Sequence, residues 1–267
     1  MCRSLTTLAA FRSLLIGLGV LGLAARVHAG LPGPPFDPTH YWTYSEQIPR
    51  VAPAPIFARD QFFRNGVPLT VEKRERLLNW VSKNNSPVPD TLLHYTWWNI
   101  LEKLPVNRQA IVTNQFGSFR VNVLNLEFML APAYKSASNP PVTLPAANHY
   151  LCYRTTGFPA PTASYDLRDE WRVDSQQPGV MEFLCAPCAK QHLGQTYAPV
   201  DTLLHLAAFL VYPVSEVFYP IIIDQFLPNQ ELVSQHGLEY LFVPSEKTDL
   251  PTDVKKNTWS RLKQLYR

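Results

Sequence analysis

The sequence predicts an all-β protein of four tandem repeats, about 55 residues each, packed as sandwich-like pairs or, alternatively, closed into a propeller-like array, with a short C-terminal helix. Three observations predict it. Marker residues recur in register four times; the segments between them are rich in aromatic and β-branched residues and are bounded by Pro, Gly or Asn; and 25 prolines stand against 11 glycines, which suits short strands joined by stiffened turns. With 267 residues and 46% hydrophobic content, the chain is long and apolar enough to bury a core.

Residues 1–29 read as a secretory signal peptide: Arg3 lies in a basic start, Ser13 to Ala25 is apolar, and Val27-His28-Ala29 places small residues before a cleavage at Gly30. The apolar stretch is too short to cross a ~30 Å hydrocarbon core at about 1.5 Å per residue. No later segment reaches 18 apolar residues, so no transmembrane segment is expected after signal cleavage. Residues 30–38 form a linker. The repeats then occupy 39–92, 93–147, 148–203 and 204–250.

Each repeat opens on a His-led strand, at His40, His94, His149 and His205, spaced by 54, 55 and 56 residues. About 20 residues on comes a polar-polar-aromatic triplet: Asp60-Gln61-Phe62, Asn114-Gln115-Phe116, Asp169-Glu170-Trp171 and Asp224-Gln225-Phe226. An apolar run then closes each repeat on Lys83, Lys135, Lys190 or Lys247. The lead-ins agree too, since PDTLLHY before His94 parallels VDTLLHL before His205. Three or four strands per repeat give twelve to sixteen in all. One repeat alone cannot bury both faces of such a sheet, so the repeats must pack on one another. The tail, 251–267, is basic and places Trp259, Leu262 and Tyr266 on one face of an expected amphipathic helix that caps the last repeat.

The pattern is fullest in the third repeat, at His149, Cys152, Tyr153, Cys185, Pro187 and Lys190. It resembles an uncharacterised β-rich repeat domain of secreted bacterial proteins, over roughly residues 38–250. The other three repeats lack the cysteine pair, and the third has Asp-Glu-Trp where the family pattern has Asp-Gln-Phe. The resemblance implies export and a β-rich fold, with no assigned activity.

The cysteines are placed by comparing repeats. Aligned on His, the Cys152 position holds Thr43, Trp97 and Ala208 elsewhere; aligned on Lys, the Cys185 position holds Leu78, Leu130 and Phe242. Both cysteines occur together in one repeat and are absent together from three, as a disulfide within the third repeat of an exported protein would produce. Cys185-Ala186-Pro187-Cys188 also admits a redox reading, but such a motif belongs between a strand and a helix, and this one sits in a closing strand. A zinc site from Cys152, Cys185, Cys188 and His192 is a further alternative.

His40, His94, His149 and His205 would be a metal set if they converged in a closed array. Their recurrence in every copy points instead to a role in the fold, with the rings apart and each bonded inside its own repeat, since a site is normally asymmetric. Asp60, Asn114, Asp169 and Asp224 are expected to hydrogen-bond the backbone of their own turns. No catalytic residue is assigned, because no GxSxG, HExxH or Gly-rich phosphate loop occurs.

The formal charge of +3 equals the three arginines of the first 29 residues, Arg3, Arg12 and Arg26, so the remainder is balanced. A balanced chain lacks the unpaired cations that nucleic-acid binding requires. The expectation is a secreted, periplasmic or cell-surface protein without cofactor, acting as a non-enzymatic binding or structural module toward an extracellular protein or glycan. Trp42, Trp97, Trp98 and Trp171 are the stacking candidates. The competing classes are an extracellular hydrolase, in which His192 or His236 would join a carboxylate in a pocket, and a metal-binding protein.

Overall fold

The computed structural model describes residues 39–47, 54–88, 90–136, 146–212, 217–227, 231–232 and 234–250. The expected signal peptide, the linker to residue 38 and the C-terminal helix lie outside the described residues. Sixteen strands occupy the described residues. Residues 39–92 carry β1 (His40–Gln47), β2 (Ala54–Arg59) and β3 (Val67–Lys83), and residues 93–147 carry β4 (His94–Ile100), β5 (Pro105–Asn114) and β6 (Gly117–Ser136). Residues 148–203 carry β7 (His149–Thr156), β8 (Tyr165–Arg168), β9 (Val173–Gln176), β10 (Met181–His192) and β11 (Gln195–Tyr197). Residues 204–250 carry β12 (His205–Leu210), β13 (Val217–Phe218), β14 (Ile221–Asp224), β15 (Glu231–Leu232) and β16 (Ser234–Asp249).

The all-β expectation holds, and the strands form one large antiparallel sheet. The expected sandwich-like pairs give way to a continuous arrangement. The His-led strand and the long strand of each unit pair with each other and with their neighbours in the order β1, β3, β4, β6, β7, β10, β12, β16 and back to β1. The path therefore closes, as in the alternative array, but through shared strand edges rather than as separate blades. Closure removes the unpaired edges that an open sheet would expose.

Alternation along these eight strands sorts their side chains into two cores. Tyr41, Leu78, Tyr95, Trp97, Phe128, Leu130, Tyr150, Cys152, Phe183, Cys185, Leu206, Ala208, Tyr240 and Phe242 form one buried cluster to which every strand of the ring contributes. The ring interior is thus packed with side chains, as eight strands require, and is not a channel. Residues one step out of phase, among them Trp42, Tyr44, Trp98, Tyr153 and Phe209, belong to the larger outer cluster.

The middle strands fill that outer layer and make the arrangement more than a simple barrel. β2 pairs with β10, β5 with β16, β8 with β3 and β14 with β6, so each joins the long strand of the unit two places away. The register is the same throughout: the residue before the closing lysine faces the residue before the triplet, as in Ala189 opposite Arg59, Glu246 opposite Thr113, Ser82 opposite Arg168 and Tyr134 opposite Ile223. Strand register is strongly specified here because a slip of one residue would exchange the two cores.

Cys152 and Cys185 face each other across β7 and β10 and are joined in a disulfide, with Cα atoms 4.0 Å apart. The corresponding pairs are Thr43 with Leu78, Trp97 with Leu130 and Ala208 with Phe242. The bond therefore replaces one inward-facing contact by a covalent one. Cys188 is free and fully buried on the outer face. Mass mapping without reduction should find Cys152 linked to Cys185, with Cys188 alkylated only after unfolding; a Cys185–Cys188 link would refute this. Replacing both bonded cysteines by Ala should cost up to about 4 kcal/mol on a loop-entropy basis, read by denaturant melts.

Candidate functional site

The four triplet turns are built alike. Asp60 Oδ1 accepts the N–H groups of Phe62 and Phe63, Asp169 Oδ1 those of Trp171 and Arg172, and Asp224 Oδ1 those of Phe226 and Leu227, while Asn114 Oδ1 accepts that of Phe116. The turn-forming role expected from the sequence is what these residues perform.

Their second oxygen reaches farther. Tyr153 donates its hydroxyl to Asp60 Oδ2 at 2.6 Å, Tyr44 to Asp169 Oδ2 at 2.5 Å, and Trp98 Nε1 donates to Asp224 Oδ2 at 3.1 Å. Each donor lies four residues after a conserved-register histidine, in the unit two places from the carboxylate. In the fourth case the donor position is Phe209, which has no hydrogen to give, and the carboxylate is replaced by Asn114, whose amide donates to Ser245 Oγ at 3.2 Å. The triplet aromatic rests on the same partner ring in all four cases, with centroids 4.7 to 4.9 Å apart for Phe62 on Tyr153, Trp171 on Tyr44, Trp98 on Phe226 and Phe116 on Phe209.

The histidines do not converge. His40 bonds Gln115 at 2.8 Å, His149 bonds Gln225 at 2.6 Å and His205 bonds Gln61 at 2.5 Å, each through Nε2 and each to the triplet of the following unit, the last closing the circle. The sequence suggested bonding within each histidine's own unit; the turn that reaches it comes from the next. His205 Nδ1 lies 2.8 Å from the Leu203 carbonyl, which only accepts, so Nδ1 carries the proton and Nε2 accepts from Gln61. His94 lacks this partner because Glu170 replaces Gln and pairs with Lys135 instead. Among the described residues no group of three or more His, Cys, Asp or Glu is placed to hold a metal ion.

The closing lysines lie over aromatics of the next unit: Lys135 is 4.0 Å from the Trp171 ring centre, Lys190 4.4 Å from Phe226 and Lys247 4.9 Å from Phe62. Lys83 bonds Gln115. Lys190 is fully buried between Phe226 and Tyr197, and burial pulls its ammonium down to about 7. Burial likewise pulls Lys135 down to about 7 against the opposing pull of Asp169.

These contacts leave the candidates for chemistry in structural positions. The disulfide occupies two of the proposed zinc ligands and removes Cys185 from any exchange with Cys188, whose thiol burial pushes up. Trp42, Trp97 and Trp98 are buried and cannot stack on a ligand, while Trp171 is half-buried under Lys135. His192 bonds the Pro55 carbonyl at 3.2 Å and packs on Phe226. The side chain of His236 lies outside the described residues.

What remains is a cleft of about 350 Å³ where the first and third units meet, lined by Arg59, Asp60, Gln61, Arg64, Pro187, Ala189, Pro199 and Thr202. The pairing of β2 with β10 creates it, setting Arg59 opposite Ala189. Arg59 and Arg64 are exposed, and their side chains enter no ion pair or hydrogen bond among the described residues. Asp60 does not neutralise them by contact, since its oxygens are occupied by Phe62, Phe63 and Tyr153 and burial raises its pKa. Sequence reading passed over these arginines because it followed recurrent residues. Their signal was the conjunction: the position before the triplet holds an arginine in only one other unit (Thr113, Arg168 and Ile223), and that four residues after the triplet start holds Ser118, Val173 and Pro228. A second cleft, about 390 Å³, is lined by Ala160, Gln177, Pro178, Gly179, Leu210, Val211 and Tyr212 and carries no charge. No family model, curated protein or solved structure matches this chain.

Two predictions follow from the unit-to-unit contacts. Burial holds the His149 ring at a pKa of about 3 and His205 at about 4, so both are neutral when folded and free to protonate near 6.5 when unfolded. Their stabilisation is complete above pH 6.5 and is lost as the pH falls from there toward 4. Melting temperatures should fall across that window, and His205→Asn should flatten the slope; an unchanged slope refutes the assignment. Second, Tyr153→Phe should cost about 1–3 kcal/mol by leaving Asp60 Oδ2 unpaired. Conversely, Asn114→Asp with Phe209→Tyr should recover, in a double-mutant cycle, a favourable coupling of about 1 kcal/mol or more.

Proposed function

We propose that this is an exported, non-enzymatic protein whose closed sheet presents a binding surface outside the cytoplasm. The observation that supports the reading is the division of labour among its polar residues. Those that recur are engaged in joining one unit to another, and the cleft between the first and third units is lined by two arginines whose side chains join nothing among the described residues. Such a cleft offers positive charge and hydrogen-bond donors, which hold a ligand, without an adjacent free base or nucleophile to transform it. The expected export agrees with the Cys152–Cys185 bond, because disulfides persist in oxidising compartments. No helix of the described residues is long and apolar enough to cross a membrane.

The reading predicts that organic anions raise the melting temperature of the exported chain by mass action and are recovered unchanged. Thermal-shift measurements followed by chromatography of the ligand check both halves. Conversion of the ligand at a rate proportional to protein concentration, lost on Arg59→Gln, would overturn the binding reading in favour of a hydrolase.

A further inference from the structure

Resting on that reading, we propose that the cleft between Arg59 and Arg64 binds a carboxylate carried on a compact apolar body, such as the C-terminal residue of an extracellular polypeptide. The charge of the cleft comes from two guanidinium groups, each a planar fork that matches both oxygens of a carboxylate. Arg59 is fixed at the end of β2 by its pairing with β10, and Arg64 follows four residues after the Asp60 turn, which is itself pinned by three hydrogen bonds. The bases of both arginines are therefore held by ordered backbone while their heads remain unpaired. This limits the entropy lost on binding to the two side chains.

The rest of the wall is not what a sugar or a bare oxyanion would need. Pro187, Ala189 and Pro199 contribute apolar surface, and Thr202 supplies one hydroxyl. Val200 and Leu203, the chain neighbours of Pro199 and Thr202, are each about two-thirds exposed, at 67% and 65%. Asp201 is turned to its own backbone, accepting the N–H groups of Leu203 and Leu204 through Oδ1. An apolar side chain beside a carboxylate fits this combination of paired cations and aliphatic walls. A cleft of about 350 Å³ is at the small end of ligand sites and suits one or two residues rather than an extended polymer.

Titration calorimetry at pH 7 tests the assignment with four probes: N-acetyl-alanyl-leucine, its C-terminal amide, galacturonate and inorganic phosphate. The free acid should bind saturably and more weakly as salt is raised, with the amide at least tenfold weaker. Arg59→Gln and Arg64→Gln should each weaken the acid about tenfold or more. Arg108→Gln, which removes an exposed arginine on β5, a strand with no residue in the cleft lining, should leave it unchanged. Equal binding of acid and amide, or acid binding indifferent to both cleft substitutions, overturns the proposal. Arginine-dependent binding of phosphate or galacturonate without the dipeptide acid overturns the ligand class and leaves the binding reading standing. No arginine-dependent binding of any probe overturns both.

Discussion

The structure depends on a buried turn carboxylate that serves two masters in opposite directions. One oxygen stops the middle strand by capping the N–H groups of its own turn, and the other receives a hydroxyl or indole donor from the unit two places away. A carboxylate without partners would be costly to bury, by several kcal/mol or more. Here that cost becomes a constraint on assembly: the group is satisfied only when the distant unit is in place and in register. The aromatic that follows it meets the ring of the same distant residue edge to face, so the polar and apolar halves of the contact select one geometry. The Asn114–Phe209 case shows the constraint at work, because where the donor is lost the charge is lost with it.

Buried cations extend this logic around the ring. Three of the four closing lysines, Lys135, Lys190 and Lys247, are placed over the triplet aromatic of the next unit, which offers them a π face. That face does not fully satisfy Lys190, whose Nζ has no hydrogen-bond partner among the described residues and whose pKa is pulled toward neutrality. Arg74 is the boldest departure, since it stands where Leu126 and Met181 pack in other units. It is buried against Glu46 at 2.5 Å and Asp224 at 3.5 Å. Such a triad adds little net stability over an apolar trio, but each of its charges forbids arrangements that leave the others unpaired. It ties β1 and β3 to the turn after β14.

Periodicity made much of this legible in advance. The His, triplet and Lys markers fall at strand starts, turns and strand ends, and the joint appearance of Cys152 and Cys185 marks a cross-strand pair whose counterparts are Trp97 with Leu130 and Ala208 with Phe242. What periodicity could not convey was which units touch. A period states that positions are equivalent, but not whether a turn contacts its own unit, the next or the opposite one. Thus Gln61 and His205, 144 residues apart, are invisible as a pair until the chain closes. The replacement of Gln by Glu170 was visible as a departure, yet its consequence, an ion pair with Lys135 in place of a bond to His94, depends on that closure.

Equivalence also separates residues that build the ring from residues that use it. A side chain demanded at all four junctions answers to the geometry of the junction, so the histidines, lysines and turn carboxylates are explained once the ring is. Function must then be sought where equivalence fails, as it does at Asn114, where the loss of charge matches the loss of the donor at Phe209, and at three charged places. At Glu170 the departure is compensated by Lys135, and at Arg74 by Glu46 and Asp224, so both are absorbed within the fold. At Arg59 and Arg64 no compensation exists among the described residues, and the two charges stand exposed in a cleft that strand pairing has already shaped. Exposed arginines cost the fold nothing and contribute nothing to it. The conjunction of Arg59 with Arg64 occurs at one junction of four, and no contact within the described residues accounts for it.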